Sequence, residues 1–344
     1  MKIIHTADIH LDSPLVGVAD GKARRQELVS ALTNLADYAE NNGVQIVIVA
    51  GDLFDDEFAT EGTIKSVAEI VNSSSAEWFV LQGNHGDASP YRKLNSLCPK
   101  VKYFGTEWTA YDLDNVTVCG KELLPNSQAA FAPLPFRAGR YNIVVLHGDV
   151  DSDAYGRIDK NVLAASGANY VALGHRHTLS AFKFGKVAAC YCGALEPRGF
   201  DEGSSGGFVV IDTDKNEIKH VPQSIRSVIT KRVDVTSCNN DVALQRLIAD
   251  AVADVASRNY LNLVLCGKRS GDVRVEFTAK QFLQGKFFAL RIQDQTVANR
   301  DLSQIATEVS LRGEFVRLVD ATADARLKDE ILELGLTLLD GGQL

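Results

Sequence analysis

Short apolar runs alternate with stretches of helical periodicity along the first half of the chain. Lys2 to Ala7 is such a run and stops at Asp8; a helical pattern follows from about Lys22 to Asn41, closed by Gly43. Val44 to Ala50, rich in Val and Ile, predicts a strand buried on both faces, and it stops at Gly51-Asp52. A second helical stretch, about Thr60 to Asn72, leads into Trp78 to Leu81, which stops at Gly83-Asn84-His85. Tyr141 to Leu146 ends at His147-Gly148, and Asn169 to Leu173 ends at Gly174-His175. Five times, therefore, an apolar strand runs directly into Asp, Asn or His, usually beside glycine. In open α/β sheets, sites form just beyond the carboxyl ends of strands, where loops converge. Glycine permits the close approach such loops need.

From about Cys190 the texture changes to hairpin-like strands, Phe208 to Asp212 and Glu217 to Val221, around Asp214-Lys215-Asn216. Pro222-Gln223-Ser224 marks the expected domain boundary. Beyond it the pattern predicts a strand near Ser227 to Val235, a helix near Asp241 to Ser257, and a hairpin of Leu261 to Cys266 with Val273 to Phe277, turned by Lys268-Arg269-Ser270-Gly271. A final helix is expected over about Asp320 to Leu339.

At 344 residues, 45% hydrophobic and 23% charged, the chain reads as a globular protein with a main domain and a smaller appendage. No apolar stretch reaches the roughly 20 residues of a membrane-spanning helix, and the start lacks the features of a signal peptide, so a cytoplasmic location with no membrane partner is expected. The six cysteines show no zinc or CxxC spacing, and Cys190 and Cys192 read as buried thiols. Net charge is −8, which argues against a generic nucleic-acid binder. From Arg226 onward 16 basic side chains meet 16 acidic ones, so the whole excess of carboxylates precedes it, as metal ligation there would require in part.

The strand-end residues are Asp8, His10, Asp52, Asn84, His85, His147, His175 and His177. Hard oxygen donors mixed with imidazoles suit Mn, Fe or Zn better than calcium or a structural zinc. The set is too large for one tetrahedral ion and fits two ions sharing a carboxylate. Such pairs, roughly 3.5 to 4 Å apart, activate a bridging water and neutralise charge in phosphoryl displacement.

Asp8-Ile9-His10, Gly51-Asp52, Gly83-Asn84-His85, His147-Gly148 and Gly174-His175-Arg176-His177 resemble, in order, the signature of the calcineurin-like metallophosphoesterases. The resemblance spans Met1 to His177. It implies a four-layer αββα sandwich, residues 1–224, with a smaller C-terminal α+β capping domain, residues 225–344. It also implies that Asp8, His10 and His177 hold a first metal, that Asp52 bridges, and that Asn84, His147 and His175 hold a second. His85 would stabilise the transition state and protonate the departing oxygen, a task its pKa suits. Within that superfamily the chain is similar to the SbcD and YhaO-like DNA repair exonucleases, through His5 to Asp12, Gly51 to Asp55, Gly193, Arg198-Gly199-Phe200 and Gly206-Gly207. The C-terminal third resembles the capping domain of that branch loosely. The branch often carries aspartate directly after the GNH histidine, where this chain has Gly86 then Asp87; the chain is also short at its C-terminus, so a docking segment for an SbcC-type ATPase is expected to be reduced or missing.

Other chemistry-bearing residues have plainer readings. His5 is expected to be a core residue or to back the site, and His220 to be a strand residue. Asp55, Asp56 and Glu57 read as a solvated loop, and Asp149, Asp151 and Asp153 as loop residues near the entrance. Arg176 would point away from its flanking histidines and meet either phosphate or a carboxylate. Lys268 and Arg269 read as a solvated turn, and Tyr155, Tyr191 and Phe200 as core rather than base-stacking aromatics.

The expected activity is Mn-dependent hydrolysis of phosphodiesters, as a DNA exonuclease of double-strand break repair. DNA, an SbcC-like ATPase and a second copy of the chain are the candidate partners. A phosphodiesterase or phosphatase acting on a nucleotide or other small phosphate is the alternative, favoured by the acidic balance. A catalytically inactive scaffold is the third reading.

Overall fold

The computed structural model describes residues 1–15, 20–84, 88–124, 134, 136–151, 156–202, 205–270, 273–322 and 327–339. His85, Gly86, Asp87, Asp153, Tyr155 and Gly271 lie outside them. The chain divides into two compact units, Met1–Val228 and Ile229–Leu344.

In the first unit, the apolar runs become strands β1 (Lys2–Thr6), β2 (Ile46–Ala50), β3 (Glu77–Leu81) and β4 (Lys102–Phe104), all parallel. A second sheet is built from β5 (Thr109–Leu113), β6 (Val116–Gly120), β7 (Tyr141–His147), β8 (Tyr170–Gly174), β9 (Ser180–Phe184) and β10 (Val187–Tyr191). The hairpin β11 (Gly207–Asp212) and β12 (Glu217–Pro222) returns to the first sheet, pairing antiparallel with β1. Among the described residues the strand orders are β12-β11-β1-β2-β3-β4 and β5-β6-β7-β8-β10-β9.

Two-residue periodicity dictates the layering. In β2, Val47 and Val49 face a core shared with helices α1 (Gly21–Asn41), α2 (Glu61–Ser73) and α3 (Ser89–Leu97). The alternate residues Ile46, Ile48 and Ala50 face a core between the sheets, against Val116, Val118, Ile143, Val145 and Tyr170. The outer face of the second sheet packs Val144, Leu146, Val171 and Leu173 against Leu163 of the short helix α4 (Lys160–Ala165). The expected αββα layering is therefore the one observed. β2 is buried at every position, as a parallel strand covered on both faces must be.

An ion-pair network closes this unit. Arg24, fully buried in α1, meets Glu27 at 2.8 Å and Glu196 at 2.7 Å. Glu196 also accepts the amides of Ile225 (2.7 Å) and Arg226 (2.9 Å), so the first unit runs a few residues past Ser224.

The second unit has its own core and holds strands β13 (Val228–Asp234), β14 (Tyr260–Arg269) and β15 (Ala289–Ala298), in that order. Helices α5 (Asp241–Val252), α6 (Val275–Leu283), α7 (Leu302–Thr307), α8 (Leu311–Thr322) and α9 (Lys328–Leu339) complete it. The expected hairpin after Cys266 is not formed. Residues from Val275 are helical, and β14 pairs in parallel with β15, so Lys268 and Arg269 end a strand rather than tip a hairpin. α6 buries Val275, Thr278, Ala279 and Leu283 at helical spacing and leaves Phe277 exposed, which overrides the brief alternation of Val273, Val275 and Phe277. No helix among the described residues is long and apolar enough to cross a membrane.

Candidate metal centre

β1, β2 and β3 of the first sheet and β7 and β8 of the second end side by side, and their last residues or the loops that follow bring the candidate ligands together. The loop after β1 lies against the loop after β2: the Asp8 amide donates to the Gly51 carbonyl (3.1 Å), and those of Ile9 and His10 to the Asp52 carbonyl (2.9 Å each). A Cβ on Gly51, at φ +101°, would stand 2.0 Å from His147 Nδ1, and one on Gly83 1.9 Å from Asp52 Oδ1. Only hydrogen fits at these two positions. Asp8, His10, Asp52 and His175 themselves sit at positive φ, between 47° and 98°. Such conformations cost about 1 kcal/mol or more each and persist where the surroundings over-determine them, which is common at active sites.

Among the described residues two groups of potential ligand atoms result, each within 4.8 Å: Asp8, His10 and His177, and Asp8, Asp52 and His147. Asp52 Oδ2 links them, 3.6 Å from His10 Nε2 and 3.3 Å from His147 Nε2. His10 Nε2 and His177 Nε2 approach to 3.2 Å. Asn84 Oδ1 lies 2.8 Å from both His147 Nε2 and His175 Nδ1. All seven expected ligands thus share one cluster; Asp8, His10, Asp52 and His147 are buried, and Asn84, His175 and His177 half-buried.

The far ring nitrogens show which way each imidazole faces. His147 Nδ1 donates to the Ala50 carbonyl (2.9 Å), which has no proton to offer, so a neutral His147 presents its Nε2 lone pair to Asp52 and Asn84. His177 Nδ1 donates to Glu202 Oε1 (2.9 Å), which turns its Nε2 lone pair toward His10 and Asp8. Lone pairs and carboxylate oxygens crowded in this way repel unless positive charge lies among them, and the donor set therefore fits divalent cations.

The crowding also shifts the ionisation of these groups. Burial pushes Asp8 up to about 6, against the opposing pull of His147 and His177. Burial works against a charged His147, yet Asp52 and Asp8 prevail and raise it to about 9. Burial works against a charged His177, but the Glu202 hydrogen bond and the charges of Asp8 and Glu202 together raise it, whereas burial and His147 lower His175.

Asp149 and Asp55 depart from their sequence reading, and other chemistry-bearing residues follow theirs. Asp149 is buried beside the site, its Oδ1 taking Arg176 Nε (2.7 Å) and its Oδ2 lying 3.5 Å from His175 Nε2. Arg176 thus meets a carboxylate, one of its two expected partners. Asp55 is also buried, 3.9 Å from Arg198, not solvated. Glu202, which no sequence pattern singles out, touches a candidate ligand; it lies 25 residues beyond His177 with no spacing to flag it. His5 is a core residue, hydrogen-bonded to the Tyr170 hydroxyl (2.9 Å) and lowered by burial to about 3, and His220 lies in β12. Tyr191 is core, its hydroxyl donating to the Gly148 carbonyl at 2.8 Å.

Residues 1–179 match the calcineurin-like phosphoesterase family. The uncharacterized metallophosphoesterase YhaO of Bacillus subtilis is 24% identical over 344 residues, covering 89% of this chain and 84% of that protein. The DNA double-strand break repair protein Mre11 of Archaeoglobus fulgidus is 25% identical over 227 residues, 57% of this chain and 50% of that protein. A component of the nuclease SbcCD of Staphylococcus epidermidis is 28% identical over 89 residues, 25% of this chain and 23% of that protein. With more than half of its length matched and a candidate cation-binding cluster at the strand ends, the chain belongs to the calcineurin-like phosphoesterases, a family of metal-dependent hydrolases.

Proposed function

We propose that the chain is a two-metal phosphodiester hydrolase acting on DNA ends, with Mn as the working metal. The observation that carries the two-metal reading is the single oxygen, Asp52 Oδ2, lying between His10 Nε2 and His147 Nε2. Asp8, His10 and His177 would hold one cation, Asn84, His147 and His175 the other, and Asp52 would bridge. When bound, such a pair supplies an activated water and neutralises charge on the phosphoryl oxygens. Asp8 and Asp52 contribute the negative charge that retains the cations, while His85 delivers a proton to the departing oxygen.

DNA as substrate is supported by the names of two relatives, a double-strand break repair protein and a nuclease component. An SbcC-like ATPase and a second copy of the chain are the partners this reading admits. Residues 1–224 would form the catalytic domain and 225–344 a capping domain. The six free thiols support a reducing compartment such as the cytoplasm. The net charge of −8 supports the second reading, a nucleotide or other small phosphoester as substrate, because DNA affinity comes mainly from basic contacts to phosphate. Purified protein loaded with Mn should degrade linear duplex, with little activity in Mg alone. Intact duplex alongside rapid cleavage of a cyclic dinucleotide or bis(p-nitrophenyl) phosphate would select the second reading.

Metal loading should depend on pH in a defined direction. His147 titrates at about 9 and Asp8 at about 6, so below pH 9 His147 must shed a proton to become a ligand, and below pH 6 Asp8 must as well. Affinity should therefore rise from pH 6 to pH 9, by up to about tenfold per unit for each proton displaced. Calorimetry in buffers of different ionisation enthalpy should register proton release on binding; an affinity flat across that range contradicts these protonation states.

A further inference from the structure

The two histidines of the Gly174-to-His177 segment are backed in parallel ways. Behind His177 stands Glu202, whose Oε1 lies 2.9 Å from Nδ1. Glu202 is itself held by Arg198, which brings Nη2 to 2.7 Å and Nε to 2.9 Å of Oε1 and its own amide to 2.7 Å of Oε2. Behind His175 stands Asp149, whose Oδ2 lies 3.5 Å from Nε2 and whose Oδ1 is held by Arg176 Nε at 2.7 Å. Each histidine thus has a carboxylate on the side away from the other candidate ligands, and each carboxylate has an arginine. Both carboxylate side chains are only 10% exposed.

The arginines have a physical task. An unrestrained carboxylate so close to a divalent cation would compete for it as a ligand. Glu202, held by three donors of Arg198 and by the His177 ring, is confined to the far side of the imidazole. Confined there, it fixes Nδ1–H, aims the Nε2 lone pair and increases ligand basicity. The two arrangements are unequal. The Glu202 contact is a charge-assisted hydrogen bond, whereas 3.5 Å between Asp149 and His175 is beyond hydrogen-bonding distance and leaves mainly a Coulombic hold.

We propose that Glu202 with Arg198 and Asp149 with Arg176 are two separate positioning pairs, one for each cation position, and that the Glu202 pair is the stronger. The proposal rests on the two-metal reading. It means that the affinities of the two ions are set by different residues and can be changed one at a time. Arg198 also reaches Ser13 Oγ (3.3 Å) and lies 3.9 Å from Asp55, so its place is fixed by the loops that follow β1 and β2.

The test is a stepwise Co2+ titration of metal-free protein by calorimetry and by visible absorption, which reports ligand geometry directly. Wild type should bind two ions in two resolved steps. Glu202→Gln should weaken one step about 10- to 100-fold and alter its absorption band, leaving the other step in place. Asp149→Asn should weaken the other step by less than about tenfold, and Glu202→Asp should recover part of the loss. Circular dichroism of the metal-free variants separates these effects from misfolding, and Glu202→Ala provides a second variant if the glutamine protein is unstable. Two wild-type steps left unchanged in Glu202→Gln and Glu202→Ala would overturn the positioning role alone. Fewer than two ions on wild type would overturn the two-metal reading beneath it.

Discussion

Asp52→Ala is expected to strip both cations from the centre and to lower phosphodiester hydrolysis by on the order of 10³-fold or more. Its Oδ2 lies 3.6 Å from His10 Nε2 and 3.3 Å from His147 Nε2, one nitrogen from each ligand group, so its loss reaches both positions. Removing it leaves Asp8 as the one carboxylate among the candidate ligands and takes away half of the negative charge that draws cations in. Charge stabilisation by a metal pair amounts to several kcal/mol of the barrier, and about 4 kcal/mol corresponds to a thousandfold in rate. Metal content by mass spectrometry, read together with turnover of bis(p-nitrophenyl) phosphate, tests this. A variant that keeps two ions per chain would show that Asp52 is not the bridge. Asp52→Asn should fall between, since the amide retains a donor oxygen and loses the charge.

His85→Ala should behave in the opposite sense with respect to metal. It should retain both cations and lose turnover by roughly 10² to 10⁴-fold, the range that a positioned general acid contributes. The contrast between the two variants separates holding the metals from moving the proton. The loss should be smallest for a p-nitrophenyl leaving group, which departs without protonation, and largest for a DNA 3′- or 5′-oxygen. Equal turnover in wild type and His85→Ala on duplex DNA would remove His85 from the reaction.

The centre is legible in the sequence because parallel strands covered on both faces read as unbroken apolar runs, and the candidate ligands stand where those runs stop. Val44 to Ala50 running into Gly51-Asp52 is the clearest instance: β2 is buried throughout, and the loop after it meets the loop after β1. Glu202 and Asp149 are illegible as partners of the histidines, because their contacts arise from where loops fold and not from spacing along the chain. Asp55 departs from expectation for a related reason: charge assigns Asp55, Asp56 and Glu57 to solvent together, while the backbone turns Asp55 inward. In the second unit, Val273, Val275 and Phe277 alternate like a strand over too short a window, and α6 forms over them because Thr278, Ala279 and Leu283 extend a helical face. β15, whose exposure is mixed along its length, carries no apolar run to announce it.

Anomalous diffraction from crystals of the protein loaded with Mn2+ tests the central claim most directly. Two peaks about 3.5 to 4 Å apart, both within coordination distance of Asp52, are the predicted result. A single peak, or peaks remote from Asp52, would contradict a two-cation centre at these strand ends.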